Sequence, residues 1–431
     1  MSAATQTAFD QHHPPSVELI NKCVHCGFCL QTCPTYALWG EEMDSPRGRI
    51  YLMNLLSQGK IELNAAVVGH FDACLGCMAC MPACPSGVDY GKLIEATRAQ
   101  IERNFPRSGR ARRIRERVLK TFPNVAKLRS MRAPLWLYQR TGLRWLARKS
   151  GALNLLPQHL QAMERLMPPL DREIQLPERV PAQGRQRMRV GLLLGCVQQV
   201  FFSGVNAATA RVLAAEGCEV IIPQPQGCCG ALMVHAGAEN ESLALARKII
   251  DVFEAAQVDA IAVNAAGCGS NMKDYGYLLR DDPQYAARAA ALSAKVRDAA
   301  ELLASLEPQA ARRPMPLRVA YHDACHLQHA QGIRTQPRSL LAGIPQLELL
   351  EIAESALCCG SAGIYNLVEP EAARALAERK VRNIVATGAE VVAAGNPGCL
   401  LQIRSELDRL GSKIRTMHTM ELLDQAISKA D

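Results

Sequence analysis

Cysteines 23, 26, 29 and 33 precede Pro34, and cysteines 74, 77, 80 and 84 precede Pro85 with the same spacing. Thiolates three residues apart in a short loop can turn toward one point, so each run offers several ligands to a single metal centre. Eight more cysteines form two matched sets. Cys196, the pair Cys228–Cys229 before Gly230, and Cys268 recur as Cys325, the pair Cys358–Cys359 before Gly360, and Cys399. The shifts between equivalent positions are 129, 130, 130 and 131 residues, which marks an internal duplication. Matched thiols are candidates for metal ligation or redox work. Plain core packing suits the unmatched Cys218, because an inert buried cysteine behaves as a small hydrophobe. Near Cys325, in YHDACHLQH, stand His322, Asp323, His326 and His329, and His235 follows the first Cys–Cys–Gly. Each histidine is a metal ligand or a proton carrier in one reading and an ordinary packed side chain in the other.

The elements that must position these residues are legible in outline. The chain has 431 residues, 48% of them hydrophobic and 21% charged, a globular composition long enough for several domains. Residues 1–100 hold the eight-cysteine module. Residues 101–185 are basic and punctuated by proline, and read as a helical connector. From residue 186, buried strands alternate with helices: RMRVGLLLGC, CEVIIP and DAIAVNAAGC in one copy, LRVAYHDAC and AEVVAAGNPGC in the other. This predicts two duplicated α/β domains with mostly parallel sheets, residues 186–310 and 311–431, behind an α-helical N-terminal module. The strands are expected to end at Cys196, Cys268, Cys325 and Cys399. Loops at the carboxyl ends of neighbouring strands converge on one crevice, so each set of four thiols is expected to meet there.

The run C-x2-C-x2-C-x3-C-P has the spacing of bacterial two-cluster ferredoxins, in which the fourth cysteine ligates the other cluster. Similarity to that pattern implies two [4Fe-4S] clusters with crossed ligation: Cys23, Cys26, Cys29 and Cys84 at one, Cys74, Cys77, Cys80 and Cys33 at the other. Zinc also takes four thiolates, but its sites usually pair two C-x2–4-C hairpins. Arg47 and Arg49, in SPRGRIYLMNLL, either offset the charge of the thiolates or open a solvated helix.

The two C…CCG…C sets behind such a module resemble the CCG-domain proteins, a group that includes heterodisulfide reductase subunits, anaerobic glycerol-3-phosphate dehydrogenase small subunits and lactate-utilisation proteins. The likeness is greatest to the iron–sulfur subunits of bacterial glycolate oxidase, through CVHCGFCLQTCPTY, PRGRIYLMN, CPSGVDY, NAATARVL, GCCGA, GCGSNMKDYG, LQHAQ and CCGSAGIY. It spans essentially the whole chain and is least distinctive over 101–185. It implies an electron-transfer subunit with no catalytic residue of its own. FAD-binding partner subunits would convert glycolate to glyoxylate, and electrons would pass through this chain to a quinone-level acceptor. Additional clusters at the CCG cysteines are a further implication. One departure stands out: heterodisulfide reductases close this pattern with C-x-x-C, whereas Asn271 and Gln402 occupy the last position here. The fifth thiol of each set is missing, which argues against heterodisulfide chemistry.

Neither a Gly-x-Gly-x-x-Gly after a strand nor a Walker A sequence occurs, consistent with flavin residing on a partner. Residues 101–150 carry fifteen Lys and Arg against Glu102 and Glu116, while the whole chain has a net charge of only +8. With Trp136, Tyr138 and Trp145 interleaved, this basic segment suits partner docking first and an anionic membrane surface second. Without a nucleic-acid-binding fold, nucleic acid is not an expected partner. The first fifteen residues lack a basic stretch followed by an apolar one, and no apolar run nears the roughly 18 residues of a membrane span. The expectation is a cytoplasmic protein, with peripheral contact at the cytoplasmic face of the inner membrane. The competing functions are the equivalent subunit of a glycerol-3-phosphate or lactate dehydrogenase complex and, more distantly, a zinc-bearing scaffold or nucleic-acid-binding protein.

Overall fold

The computed structural model describes residues 7–170 and 172–427; the first six residues, part of the stretch read for a leader, lie outside them. The N-terminal module is helical among the described residues: Val17–Asn21, Pro34–Trp39, Pro46–Ser57, Ala65–Asp72 and Tyr90–Asn104. Side-chain caps start all of these helices but Pro34–Trp39. Ser45 Oγ accepts from Gly48 N at 3.0 Å, and Asn64 Oδ1 accepts from Val67 N at 3.1 Å. Ile20, Met53, Leu56, Phe71, Leu93, Ile94 and Ile101 form the core, and Cys74 and Cys80 are buried within it. The thiol loops are thus held by packed helices rather than by loose surface chain.

Two sheets follow. The first contains β1 (Arg179–Val180), β2 (Met188–Leu192), β3 (Cys218–Ile221), β4 (Ala260–Val263) and β5 (Val296–Asp298), in the order β1-β3-β2-β4-β5. The second contains β6 (Leu317–Tyr321), β7 (Leu347–Glu351), β8 (Val391–Ala394) and β9 (Arg415–His418), in the order β7-β6-β8-β9. Every pairing is parallel except β1 with β3. The two-residue strand β1 lies within 101–185, so that segment lends the first sheet an edge. Alternation along the strands covers both faces. Val190, Leu192, Ala260 and Ala262 face one core, while Ile261 and Val263 face another with Ile250, Phe253 and Leu292. Val319, Tyr321, Val391 and Ala393 of the second sheet join the first of these cores through Leu213, Leu341, Leu422 and Leu423. The two copies therefore share one apolar interior.

The basic segment forms helices Gly109–Thr121, Val125–Arg140, Leu143–Lys149 and Gln158–Arg165. Part of its charge is internally matched: Arg107 and Arg115 both pair with Asp72 and Glu102, and Arg144 and Arg148 with Glu164. Trp136, Leu137, Leu143, Trp145 and Leu146 are exposed, with Arg140 over the Trp136 ring and Lys149 over that of Trp145. Among the described residues no helix is long and apolar enough to cross a membrane.

Helix Tyr90–Asn104 leans on the first copy across a cavity of about 290 Å³ lined by Lys92, Glu95, Val234, Ser242, Tyr277 and Arg280. Burial, with Asp274 nearby, pushes the Glu95 carboxyl up to about 8. An acid raised in the fold binds more protons folded than unfolded, so its stability contribution is lost as pH rises from its ordinary value near 4.5 through about 8. His235, His326 and His418, all depressed by burial, act in the opposite sense, but only below the ordinary histidine value of about 6.5. Between about pH 6.5 and 8 the Glu95 slope remains, joined up to about 7 by that of the buried Asp298. The thiols that iron holds ionised act in the opposite sense up to their ordinary value near 9, so the Glu95 contribution is read as a difference: in anaerobic melts Glu95→Gln should gain midpoint relative to the unsubstituted chain as pH rises from about 6.5 to 8. A difference that stays constant over this window would assign no titration to Glu95.

Candidate iron–sulfur sites

Both cysteine loops of the module adopt the same unusual backbone. In the first, His25 (φ 54°) and Gly27 (φ 88°) are left-handed; in the second, the equivalent Gly76 (φ 60°) and Met78 (φ 61°) are. A histidine and a methionine in this region cost conformational energy, which a packed scaffold offsets where the turn is needed. The needed turn is one that aims three thiols inward. A cavity of about 30 Å³ is lined by Cys23, Cys26, Cys29 and Cys84, with Cys80 at its wall. Cys23 feels the charge of Cys84, across the two runs. In the other site Cys33 lies within electrostatic reach of Cys77 and Cys80, which also feel Cys74. The loops thus bring together the groups expected from crossed ligation. Burial pushes the Cys29 thiol up to about 11 and that of Cys80 well above its ordinary range. Such thiols ionise readily only beside added positive charge, which is what iron supplies. The donor sets fit [4Fe-4S] clusters, whose chemistry is one-electron transfer.

Charge and hydrogen bonds around the sites are already arranged. Arg47 sits beside Cys29, forks onto Glu42 and donates to His25 O at 3.1 Å. Arg49 is only 1% exposed and donates to Asp44 Oδ1, Thr35 Oγ1 and His70 O. Of the two readings of this stretch, charge compensation is therefore the better fit for Arg49, which is not solvated. Burial alone would raise Cys74, but Arg49 and Arg98 bring it below its ordinary value, helped by Gly76 N–H and Tyr90 O–H donating to its sulfur at 3.4 and 3.6 Å. Removing a buried cation disfavours the extra electron of a reduced cluster. Arg49→Gln should lower the midpoint potential at the deeper site by on the order of 100 mV, and Arg49→Lys by clearly less. Spectroelectrochemical titration decides it, and equal potentials in all three proteins would remove Arg49 from any tuning role.

The duplicated thiols also converge. Cys196 and Cys228 are 3.4 Å apart, and Cys229 links Cys228 to Cys268. In the second copy the succession is Cys325–Cys358–Cys359–Cys399. The expectation that strands end at these cysteines needs correction. The strands stop four or five residues earlier. Cys196, Cys268 and Cys399 lie in the first turns of the helices Cys196–Phe201, Ala266–Lys273 and Pro397–Arg409, and Cys325 caps the π-helix His326–Ala330. Gly230 (φ 85°) and Gly360 (φ 86°) are left-handed and aim their N–H groups at the sulfurs of Cys228 and Cys358. A Cβ on Gly360 would stand 2.4 Å from Ala373 O, so only glycine fits there. Asn271 and Gln402, where the fifth thiol would be, hold backbone instead: Asn271 Nδ2 donates to Cys229 O at 2.7 Å, Gln402 Nε2 to Ala373 O at 3.2 Å.

The remaining candidates separate. Asp323 accepts a two-pronged bond from Arg338, and His329 bonds Ala356 O. His326 and His235 are 3.0 Å apart, and His326 also reaches Gly76 O at 3.1 Å, pinning the module to both copies. His322 alone lies with the sulfurs, near Cys359 and Cys399. Cys218 is a core residue of the first sheet. Lys380 was missed. Fully buried, it donates to Glu354 O and Ser355 O beside Cys325, Cys358 and Cys359, and burial lowers its pKa. Its signal was a lone lysine in the apolar stripe Leu376–Ala377–Val381–Ile384. The module and the second copy meet directly: Cys77 feels Cys325 and packs with Cys358 and Tyr365.

Three family models match this chain: "4Fe-4S dicluster domain" over residues 19–88, "Glycolate oxidase iron-sulfur subunit, linker region" over 110–167, and "Cysteine-rich domain" over 190–273 and again over 319–404. The basic stretch judged least distinctive thus carries a family-specific match. A probable glycolate oxidase iron–sulfur subunit of Bacillus subtilis is 40% identical, the match covering 95% of this chain and 94% of the relative. The glycolate oxidase iron–sulfur subunit of Escherichia coli is 35% identical, over 95% of each. Lactate utilization protein A of an Exiguobacterium species is 31% identical over 56% of this chain and 99% of its own length.

Proposed function

Because this chain belongs to the family of glycolate oxidase iron–sulfur subunits, we propose that it accepts electrons from the FAD of partner subunits oxidising glycolate to glyoxylate, and passes them toward a quinone-level acceptor. Its cofactors are iron–sulfur clusters, and its role is that of an electron-transfer subunit within a larger oxidoreductase. Cys23, Cys26, Cys29 and Cys84 would hold one [4Fe-4S] cluster, and Cys74, Cys77, Cys80 and Cys33 the other. The observation that carries the reading is the unbroken succession of thiols, from exposed Cys26 through Cys80 at the wall between the two sites to Cys77 against buried Cys325. Val24 and Phe28, 67% and 66% exposed beside Cys23, Cys26 and Cys29, offer an apolar face for the flavin subunit. The exposed Trp136–Trp145 ledge would serve docking of a further subunit or of the cytoplasmic membrane surface. The cytoplasm suits seventeen cysteines, all free among the described residues.

The division into residues 1–100, 101–185, 186–310 and 311–431 assigns wiring to the first part, docking to the second and the inner thiol sites to the last two. A lactate-oxidising complex is the second reading, motivated by the lactate utilization relatives. The family match across the linker favours glycolate. The test is direct: the chain purified anaerobically without partners should contain iron and labile sulfide, yet reduce no dye with glycolate. Added flavin subunits should restore dye reduction with glycolate and not with lactate. Activity of the flavin-free chain would refute the relay.

A further inference from the structure

We propose that His322 is a nitrogen ligand to iron in the second cysteine-rich copy, so that the two copies hold chemically different centres. The proposal rests on the reading that the CCG thiols bind iron–sulfur clusters, and it goes beyond it. His322 is 0% exposed, and among the described residues neither ring nitrogen meets an oxygen or nitrogen partner; the polar group it interacts with is the Cys359 thiol. One of them lies within 4.8 Å of the sulfurs of both Cys359 and Cys399, which are themselves buried. A neutral imidazole brought fully out of water normally satisfies at least one of its two nitrogens. Here the polar atoms it faces are thiol sulfurs, and a metal bound by them would take the free lone pair.

The duplication supplies an internal control. His322 follows β6 and its backbone N–H bonds Ala393 O on β8 at 2.8 Å; Leu193 follows β2 and bonds Ala262 O on β4 at 3.0 Å. The two residues occupy the same place in the two copies, and a buried leucine fills it in the first. The fold therefore accepts an apolar side chain at this position and has no structural need of an imidazole. The second copy also lacks its fifth thiol, because Gln402 bonds backbone instead. An imidazole offers a fifth donor without adding negative charge. Binding transfers no electron: the nitrogen gives its lone pair to iron, the ring keeps its other N–H, and the thiols lose their protons as they ligate. Imidazole in place of thiolate raises the potential of an iron–sulfur centre, as in Rieske proteins.

The test uses the full chain, prepared anaerobically with iron and sulfide, grown once with natural and once with 15N-labelled histidine. Pulsed EPR of the reduced protein should reveal a directly bound nitrogen whose coupling changes with the label. His322→Leu, which installs the residue of the first copy, should lose that coupling while the signals of the two ferredoxin-type sites persist. His322→Cys should restore a bound centre with a lower midpoint potential and no label-sensitive coupling. A second-copy centre with no histidine nitrogen, or coupling that survives in His322→Leu, would overturn the proposal alone. Iron content and spectra unchanged by Cys358→Ser would mean that the second copy holds no cluster, and would overturn the underlying reading together with the proposal.

Discussion

Cys84→Ser should destroy the iron site formed by Cys23, Cys26 and Cys29 and spare the one beside its own sequence neighbours. The loss expected is about four irons per chain, the content of one cubane cluster. The physical ground is the fold of the two loops. Each aims three thiols inward through left-handed residues, and the fourth cysteine of each run lies past the turn, against the opposite loop. Serine keeps nearly the same volume, so the helical core around residue 84 should survive and the effect should be local. The surviving cluster is identifiable because it alone is neighboured by buried Arg49: its potential should still shift when Arg49→Gln is added to Cys84→Ser. A surviving signal indifferent to residue 49 would mean that each run ligates its own cluster. Cys33→Ser should give the mirror result.

The second large effect belongs to Cys358→Ser in the assembled complex. Quinone reduction should fall to background while glycolate still bleaches the partner flavin, since hydride transfer to flavin precedes any step in this chain. Cys358 lies between Cys325 and Cys359, and the Cys325 side of that succession adjoins Cys77 of the module. Cys228→Ser interrupts the corresponding succession in the first copy. Because the two copies share one apolar interior, both variants must first be shown to retain the ferredoxin-type clusters and the complex. Loss of a merely structural thiol costs some stability but leaves turnover per intact complex unchanged. Normal quinone reduction in both variants would reduce the duplicated thiols to packing.

Much of this was readable from residue spacing. The doubled C-x2-C-x2-C-x3-C-P and the near-constant shift between the Cys–Cys–Gly sets carry their geometry in the chain, because local loops and a duplicated fold repeat their contacts. The parallel sheets followed from alternating strands and helices. Other features depend on distant packing and left weaker traces. The helix starts that hold Cys196, Cys268 and Cys399 were obscured because short apolar runs continue past the strand ends. Arg49 was placed near the thiols, but its burial is decided by Asp44 and His70, which lie on other elements. Lys380 stands among Glu378, Arg379 and Arg382 in the sequence, and only the packing of Leu376, Val381 and Ile384 shows the face it shares. The special position of His322 emerges only when Leu193 is seen at the equivalent strand end, a comparison that needs the sheet register as well as the sequence.

The central claim is that this chain carries electrons that it does not itself extract. Anaerobic rapid mixing of glycolate with the complex, in the absence of quinone, tests it most directly. Flavin absorbance should bleach first and the broad iron–sulfur absorbance near 400 nm should follow, with both returning when quinone is added; the chain alone should remain oxidised however long glycolate is present. Iron–sulfur absorbance that stays oxidised in the complex while glycolate continues to reduce quinone would contradict the account, as would bleaching of the isolated chain by glycolate.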